Sequence, residues 1–477
     1  MSTIASLKIL FIDYSLGKQG LKRIRSLIHF VMSRFSIVGS FLAVVIILSI
    51  AAPFASASTH LVLAQQNHQK RQVVITAMLD NLGNVIKWDG LLQPAIQELK
   101  ARHPDLNIQL NYTTTPYNQT RTHLLDVLGN KSAIDLISVD QIWLGDFAQR
   151  GYLTNLTDYV KSWGRASDWY QTNFNGGVYE GKVYGIWAWT DVRGMWYWKD
   201  LLNKAGVDPN SLQTWDGYIA SARKINSTLG PLGISGAVLV GLNYSPDIWY
   251  PYLWMLGGDI LVMKDGHPTK GTYWFPAYNS SAGVKALEFI KEQIDGGIKP
   301  LKSNPDKLFV DRKLAVLQSG SWLPGAFPRQ QWPTFGQRIG FIPMFPVPNR
   351  INQTSTMMGG WELAIPHTSK NKELAWELIT LMVDPRTMSP WLKQTGFLPT
   401  QKSIGSGPQL TELNQTIPYY DKMVSMISIG KSRPVAPEYP QIADHIRQAI
   451  EDVYYGVKQP KQALDDAAKK SVKVLGW

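Results

Sequence analysis

The chain has 477 residues, 44% of them hydrophobic and 18% charged. That excludes a disordered polymer and a polytopic membrane protein, and it leaves enough apolar volume for two or three lobes. There is no cysteine, which removes disulfides, thiolate zinc sites, cysteine nucleophiles and a lipidated-cysteine anchor; the eight histidines fall at no metal-binding spacing, so neither a metal nor a cofactor is expected. The formal charge of +12 is partly an N-terminal feature, since Lys8, Lys18, Lys22, Arg23, Arg25 and Arg34 face only Asp13 in residues 1–65. The other positive charges are scattered and do not interleave with aromatics, so no nucleic-acid partner is expected.

Residues 36–57 form an uncharged apolar stretch behind a basic segment and end in the small residues Ala55, Ser56 and Ala57. This is an export element, a cleaved signal peptide or a membrane anchor, and the basic flank stays inside while everything after about residue 65 lies outside. Nine Asn-x-Ser/Thr sequons, at Asn111, Asn118, Asn130, Asn155, Asn226, Asn243, Asn279, Asn352 and Asn414, occur among 20 asparagines, where chance gives about two or three. The excess fits a glycosylated protein at the cell surface.

After a polar linker at 65–71, residues 73–79 read as a buried strand, 91–99 as a helix with apolar residues at helical spacing, and 106–112 as an alternating strand. This is a βαβ unit and predicts a parallel sheet. A helix at 120–128 and a strand at 133–140 follow, with Asp140 at the strand's carboxyl end, where open α/β sheets place their ligand crevice. A helix starts at 142–147, and a strand at 181–186 enters the dense segment 187–194. Later helices are read at 214–225, 281–295, 371–383, 441–455 and 460–474.

Trp (18) outnumbers Phe (15), and Tyr reaches 20, although a core needs only apolar volume, which Phe supplies without a polar atom to satisfy. An indole covers the apolar C–H face of a pyranose ring, while carboxylates and arginine bond its hydroxyls. Asp80, Asp140 and Asp191 sit at strand ends or in the Trp-rich segment, with Arg193 and Trp189 close by in sequence. Trp322 follows a strand and Gly320, in a turn expected to expose the indole; Trp361 follows Gly360 at the start of a second strand. Both glycines allow close backbone approach. Trp376 belongs to a periodic helix and is assigned to packing, whereas Trp249 and Trp254 fit either role. Glu362 is the main glutamate near these motifs and is compatible with facing away from Trp361. No catalytic or phosphate-binding signature appears. At this level a secreted glycosidase or lyase, and a receptor for a non-sugar solute, stay open beside a sugar-binding protein.

From about Arg71 onward the chain resembles the family 1 extracellular solute-binding proteins, the maltose-binding-protein-like carbohydrate receptors of ABC importers. The resemblance is carried by residues 134–148, 181–194, 197–206 and 309–322, by Gly359-Gly360-Trp361, and by Gly396-Phe397-Leu398-Pro399-Thr400. It implies an α/β, two-lobed periplasmic-binding-protein-like fold with three hinge crossings, behind the N-terminal signal or anchor helix. One lobe would comprise 71–188 and 357–400, the other 189–356 and 401–477, with crossings near 187–194, 347–356 and 400–405. It implies a disaccharide or short oligosaccharide captured by hinge closure, delivery to ABC permease subunits, and no turnover. The candidate ligand set is Asp80, Asp140, Trp143, Trp189, Asp191, Arg193, Trp254, Gly320, Trp322, Gly360 and Trp361. Where members often carry an arginine that can reach the ligand, shortly after Thr400, this chain has Gln401 and Lys402.

Overall fold

The structure, a computed structural model, describes residues 70–81, 88–239, 246–265, 273–301, 304–343 and 354–477. The export segment at 36–57, Asn243, Asn352 and most of the expected second crossing lie outside these residues. No helix among the described residues is long and apolar enough to cross a membrane.

β1 (Arg71–Asp80) is followed by α1 (Asp89–Arg102), which buries the stripe Leu91, Leu92, Ala95, Ile96 and Leu99 and ends at His103, before Pro104. β2 (Leu106–Thr115) alternates between buried and exposed residues over its first half. α2 (Tyr117–Gly129) begins three residues earlier than its apolar periodicity suggests, because Pro116 supplies a pre-set start. β3 (Leu136–Asp140) is buried throughout; Asp140 then caps a 3₁₀ turn (Gln141–Trp143) that leads into α3 (Leu144–Gln149). The expected strand at 181–186 is shorter than its sequence suggests: Lys182–Val183 pairs with Val178–Tyr179 in a hairpin, and the chain re-enters the main sheet at Ile186.

The 13-residue β4 (Ile186–Trp198) has a buried or half-buried side chain at every position. α4 (Trp215–Leu229) and α5 (Ser281–Asp295) are capped by Thr214 and Ser280, and α6 (Pro305–Val310) by Asn304. β5 (Val316–Gly320), β6 (Ile339–Ile342) and β7 (Thr356–Ala364) follow. Then come α7 (Lys372–Met382), α8 (Pro385–Thr395), β8 (Leu398–Pro399), β9 (Gly430–Lys431), α9 (Tyr439–Tyr454) and α10 (Pro460–Leu475).

These strands form one nine-stranded sheet of order β5-β4-β7-β3-β1-β2, with β6 and β8 on β4 and β9 on β7. β1 and β3 are parallel, but β7 enters antiparallel between β3 and β4. The sheet is therefore mixed, and β7, which sits between β3 and β4, comes much later in the chain than either. One end of β4 pairs with β7 and β8, while the other carries β5 and β6. A single strand thus links two separate groups of neighbours.

The close approach at Gly360 sets the centre of this arrangement. Its φ is +155°, and a Cβ there would lie 1.7 Å from Trp187 Nε1 and 2.4 Å from the Trp189 carbonyl oxygen. Gly360→Ala combines overpacking with an unfavourable backbone geometry, each costing about 1–3 kcal/mol. A loss of about 2–6 kcal/mol of unfolding free energy is expected, measured by urea denaturation followed through tryptophan fluorescence.

Candidate functional site

The antiparallel register of β7 places Trp361 opposite both Asp140 of β3 and Trp189 of β4, and Gly359 opposite Asp191. Gly359 has no side chain for a reason visible here: a Cβ would lie 2.7 Å from the Asp191 carboxylate. β7 therefore holds two aspartates from strands on its opposite sides, Asp140 of β3 facing Trp361 and Asp191 of β4 facing Gly359.

A chain of charges grows from them. Arg433 Nη2 donates to Asp140 Oδ1 at 3.3 Å, and its Nη1 donates to Asp247 Oδ2 at 3.4 Å. Asp247 Oδ2 also lies 3.4 Å from Arg193 Nη2, and Arg193 Nη1 lies 3.6 Å from Asp191 Oδ1. Asp140 Oδ2 accepts from the Tyr117 hydroxyl at 2.9 Å. At the other end the Arg193 guanidinium sits 5.3 Å from the centre of the Trp322 ring, a cation–π contact. The Trp322 indole N–H donates to Asp306 Oδ2 at 2.8 Å, and Ser319 donates to the other Asp306 oxygen. Asp140, Asp191 and Arg433 are all buried.

Burial pushes the Asp140 carboxyl above its ordinary value, opposed by Arg433 and the Tyr117 hydrogen bond. Burial likewise raises Asp191, opposed by Arg193 and Arg433. For Arg433 burial works against the charge, but Asp247 and Asp140 outweigh it and hold the guanidinium charged. The ion pairs join three carboxylates, Asp140, Asp191 and Asp247, to two guanidinium groups, and Asp306 beyond Trp322 adds a fourth carboxylate, so the site holds an excess of negative charge when all are ionised.

Several polar atoms around this chain are buried without a hydrogen-bond partner among the described residues: Asp191 Oδ1, Arg433 Nε and Gln141 Oε1. Buried polar atoms are usually satisfied. Acceptors and a donor grouped in this way suit a ligand with many hydroxyls, which can give to the carboxylate and amide and accept from the guanidinium.

The residues singled out in the sequence divide into two groups. Asp140, Asp191, Arg193 and Trp322 belong to the charge chain. Trp361 and Trp143 flank it through Tyr117: Trp143 stacks on Tyr117 at 5.8 Å between ring centres, and Trp361 meets both rings edge-on. Trp322, expected to be exposed, is half-buried because Arg193 covers it, and Trp361 lies in the middle of its strand and is 3% exposed. Trp189 is packed among Trp88, Trp391 and Phe397. Trp254 is buried, with its N–H on Asp259. Asp80 is buried and bonded to Ser138. The space at Gly320 and Gly360 is filled by indoles of the chain itself, Trp322 and Trp187.

Four residues that pattern reading passes over complete the geometry: Tyr117, Asp247, Asp306 and Arg433. None lies in a motif with fixed spacing. The available signal is a charged residue in an otherwise apolar or proline-bounded stretch, as at Pro246-Asp247 and Arg433-Pro434. Gln401 is buried with its amide on the Val383 carbonyl, and Lys402 bonds the Ser167 carbonyl. Arg433, from a later segment, is the guanidinium that reaches the strand ends.

Residues 86–388 match the family described as bacterial extracellular solute-binding protein. The chain belongs to this family. A putative binding protein of Brucella abortus is 26% identical over 400 residues, covering 82% of this chain and 92% of that one. The arabinooligosaccharide-binding protein of Bacillus subtilis is 23% identical over 395 residues, covering 78% and 87%. Among solved structures, the GacH receptor of Streptomyces glaucescens superimposes with a TM-score of 0.71 at 22% identity, covering 85% of this chain and 98% of that one. Maltose-bound MalE3 of T. maritima gives 0.69 at 22%, covering 84% and 99%. These likenesses establish the two-lobed, maltose-binding-protein-like α/β fold.

Glu362 of this binding protein, next to Trp361 on β7, is fully buried, and neither carboxyl oxygen has a hydrogen-bond partner among the described residues. Gly177 and Gly185 lie against it. Burial, reinforced by the Asp140 charge, holds its carboxyl well above the ordinary range.

Two outcomes are expected. Arg433→Met removes the shared guanidinium, leaving Asp140 with Tyr117 and the Ile142 N–H and leaving Asp247 with Arg193. Breaking a buried pair on one side costs about 3–5 kcal/mol, to be read in urea unfolding. Glu362 has a folded pKa above its unfolded value, so its contribution is complete below the unfolded pKa and is lost as pH rises towards the folded one. Over that window wild-type stability falls by about 1.4 kcal/mol per pH unit for this group. Glu362→Gln should therefore gain stability relative to wild type as pH rises from 4 and gain nothing below it, checked by melting temperature against pH.

Proposed function

We propose that this protein is the extracellular receptor of an ABC importer, that it captures a neutral disaccharide or short oligosaccharide by closing two lobes on it, and that it delivers the sugar to the permease subunits. The observation that carries this reading is the aromatic-flanked charge chain where β3, β4 and β7 meet, with hydrogen-bonding atoms left unfilled in its midst. The family supplies the transport role, and the relatives named for arabinooligosaccharide binding and the maltose-bound neighbour support a saccharide as cargo.

In this reading the lobes comprise 71–188 with 357–400, and 189–356 with 401–477, and β4 and β7 are two of the crossings. Asp140 and Tyr117 then stand on one lobe, and Asp191, Arg193, Asp247, Trp322 and Arg433 on the other. The Asp140–Arg433 pair is made across the cleft, as are the Gln141 amide to Arg433 carbonyl bond (3.0 Å) and the tight seat of Gly145 against Val435. A sugar entering the cleft replaces part of this network with its own hydroxyls, and closure shifts by its extra affinity for the closed arrangement. Trp322, Trp361 and Trp143 offer ring faces and edges, while Asp140, Asp191, Arg193 and Arg433 bond hydroxyls. The reading includes no catalytic step. Residues 36–57 export the chain, which is then released or tethered by the same segment to the membrane.

Calorimetry with a panel of neutral and uronate-containing oligosaccharides tests the proposal. A neutral di- to tetrasaccharide should bind, and its uronate counterpart should bind more weakly because the cleft already holds excess negative charge. Trp322→Ala should weaken binding by about 1–3 kcal/mol, the scale of lost aromatic burial, with the fold intact by circular dichroism. An unchanged affinity in that variant, or release of reducing ends from the panel, contradicts the assignment.

A further inference from the structure

The nine sequons form the other sequence feature that sugar capture does not use. Seven have described asparagines, and none of the seven is buried: Asn111, Asn118, Asn130, Asn155 and Asn414 are exposed, and Asn226 and Asn279 are half-buried. Exposure alone does not make an acceptor. The side-chain amide nitrogen must be available as the nucleophile, and the hydroxyl two residues on must be within reach of the same side chain.

Asn111 lies on β2, the edge strand of the sheet. Residues i and i+2 of a strand share a face, so Asn111 and Thr113, both exposed, project together. No hydrogen bond to the Asn111 side chain is made among the described residues. Asn155 stands in the loop before the helix Thr157–Trp163; its Oδ1 accepts from the Thr157 backbone N–H at 3.0 Å and from the Thr157 hydroxyl at 2.6 Å. This turn engages the amide oxygen with the sequon's own threonine, whose hydroxyl also accepts from the Val183 N–H at 3.0 Å, and leaves the nitrogen uncommitted.

The others are spent in various ways. The Asn226 Oδ1 accepts from the Gly236 N–H at 2.7 Å and its nitrogen faces the Gly297 carbonyl at 3.5 Å. The Asn279 nitrogen donates to Asp465 at 3.0 Å, and the Asn130 nitrogen donates to Asp126 at 2.9 Å. At Asn118 the partner hydroxyl, Thr120, is buried and donates to the Thr115 and Pro116 carbonyls. At Asn414 the Thr416 hydroxyl is turned to the Glu412 carbonyl.

We propose that Asn111 and Asn155 carry N-linked glycans and that Asn226 and Asn279 do not. The donor is an oligosaccharide activated as a polyprenyl-phosphate or -diphosphate, used by an oligosaccharyltransferase-type enzyme on the outer face of the membrane. The amide nitrogen forms a bond to the anomeric carbon, the bond from that carbon to the phosphate oxygen breaks with its electron pair leaving on the phosphate, and the amide proton passes to a base of the transferase. The inference rests on the outside location proposed above and is independent of the sugar cargo. At Asn111 the glycan would also cover an exposed sheet edge, where unpaired backbone groups invite association with other strands.

The test uses the full-length protein isolated from the cells that make it, with glycopeptide mass spectrometry over all nine sequons. Glycan is expected on the Asn111 and Asn155 peptides and bare asparagine at Asn226 and Asn279. Asn111→Gln and Thr113→Ala should each remove one glycan mass, as should Asn155→Gln, whereas Thr157→Ser should keep it; neutral-sugar binding should be unaffected by loss of either glycan. Protease added to intact cells is the parallel arm. Unmodified Asn111 and Asn155 in a chain that this protease digests overturn the glycan assignment alone. The same result in a chain it does not reach overturns the outside location as well. Glycan on Asn226 or Asn279 in preference to the other two overturns the availability argument.

Discussion

A guanidinium removed from water has to be compensated by carboxylates close at hand, and the site is built around that demand. Arg433, 4% exposed, is held between Asp140 and Asp247, and Asp247 is shared with Arg193. Asp140 and Asp191 are themselves unfavourable in the interior, where burial pushes both carboxyls up. The charges are tolerable only as a connected set, because a lone member would face the full desolvation cost. The set draws on four stretches of sequence, around 140, 191–193, 247 and 433, so it also fixes how those stretches meet.

The same connectedness gives a receptor its response. A polyhydroxyl ligand can exchange bonds with carboxylates and guanidinium groups one for one, so the network can open to a sugar without leaving a charge bare. In the proposed receptor, a closed arrangement held by these ion pairs, the Gln141–Arg433 hydrogen bond and the Gly145–Val435 contact would set a reference that the ligand must improve on, limiting closure to ligands with the right hydroxyls. The aromatic groups add shape. Tyr117, Trp143 and Trp361 form one aromatic cluster, and Trp322 lies under Arg193.

The high tryptophan content thus serves two purposes. Trp189, Trp196, Trp198, Trp249 and Trp254 fill the interior; two of them use their N–H, Trp198 on the Phe309 carbonyl and Trp254 on Asp259, while those of Trp189, Trp196 and Trp249 have no partner among the described residues. Trp322 differs in being half-buried, with its ring under Arg193 of the charge chain and its N–H on Asp306, whereas the buried Trp254 meets Lys431 and Asp259. Sequence composition does not separate these cases, since Trp189 within β4 and Trp322 just after β5 both have small residues nearby.

The strands, the apolar helix stripes and the family were legible in the chain because they depend on local periodicity and on motif order. α5 ends where Ser280 and Gly296 say it must, and α1 stops at His103 before its proline. Asp140, Asp191 and Arg193 could be picked out because strand ends and a short charged segment are visible in one dimension. What only the tertiary structure decided was the insertion of β7 between β3 and β4, the arrival of Arg433 and Asp247 at the same place, and which indoles face the charges. Those are matters of long-range register. A strand's sequence fixes which residues alternate, whereas its neighbour is chosen by the packing and charge compensation of the whole sheet.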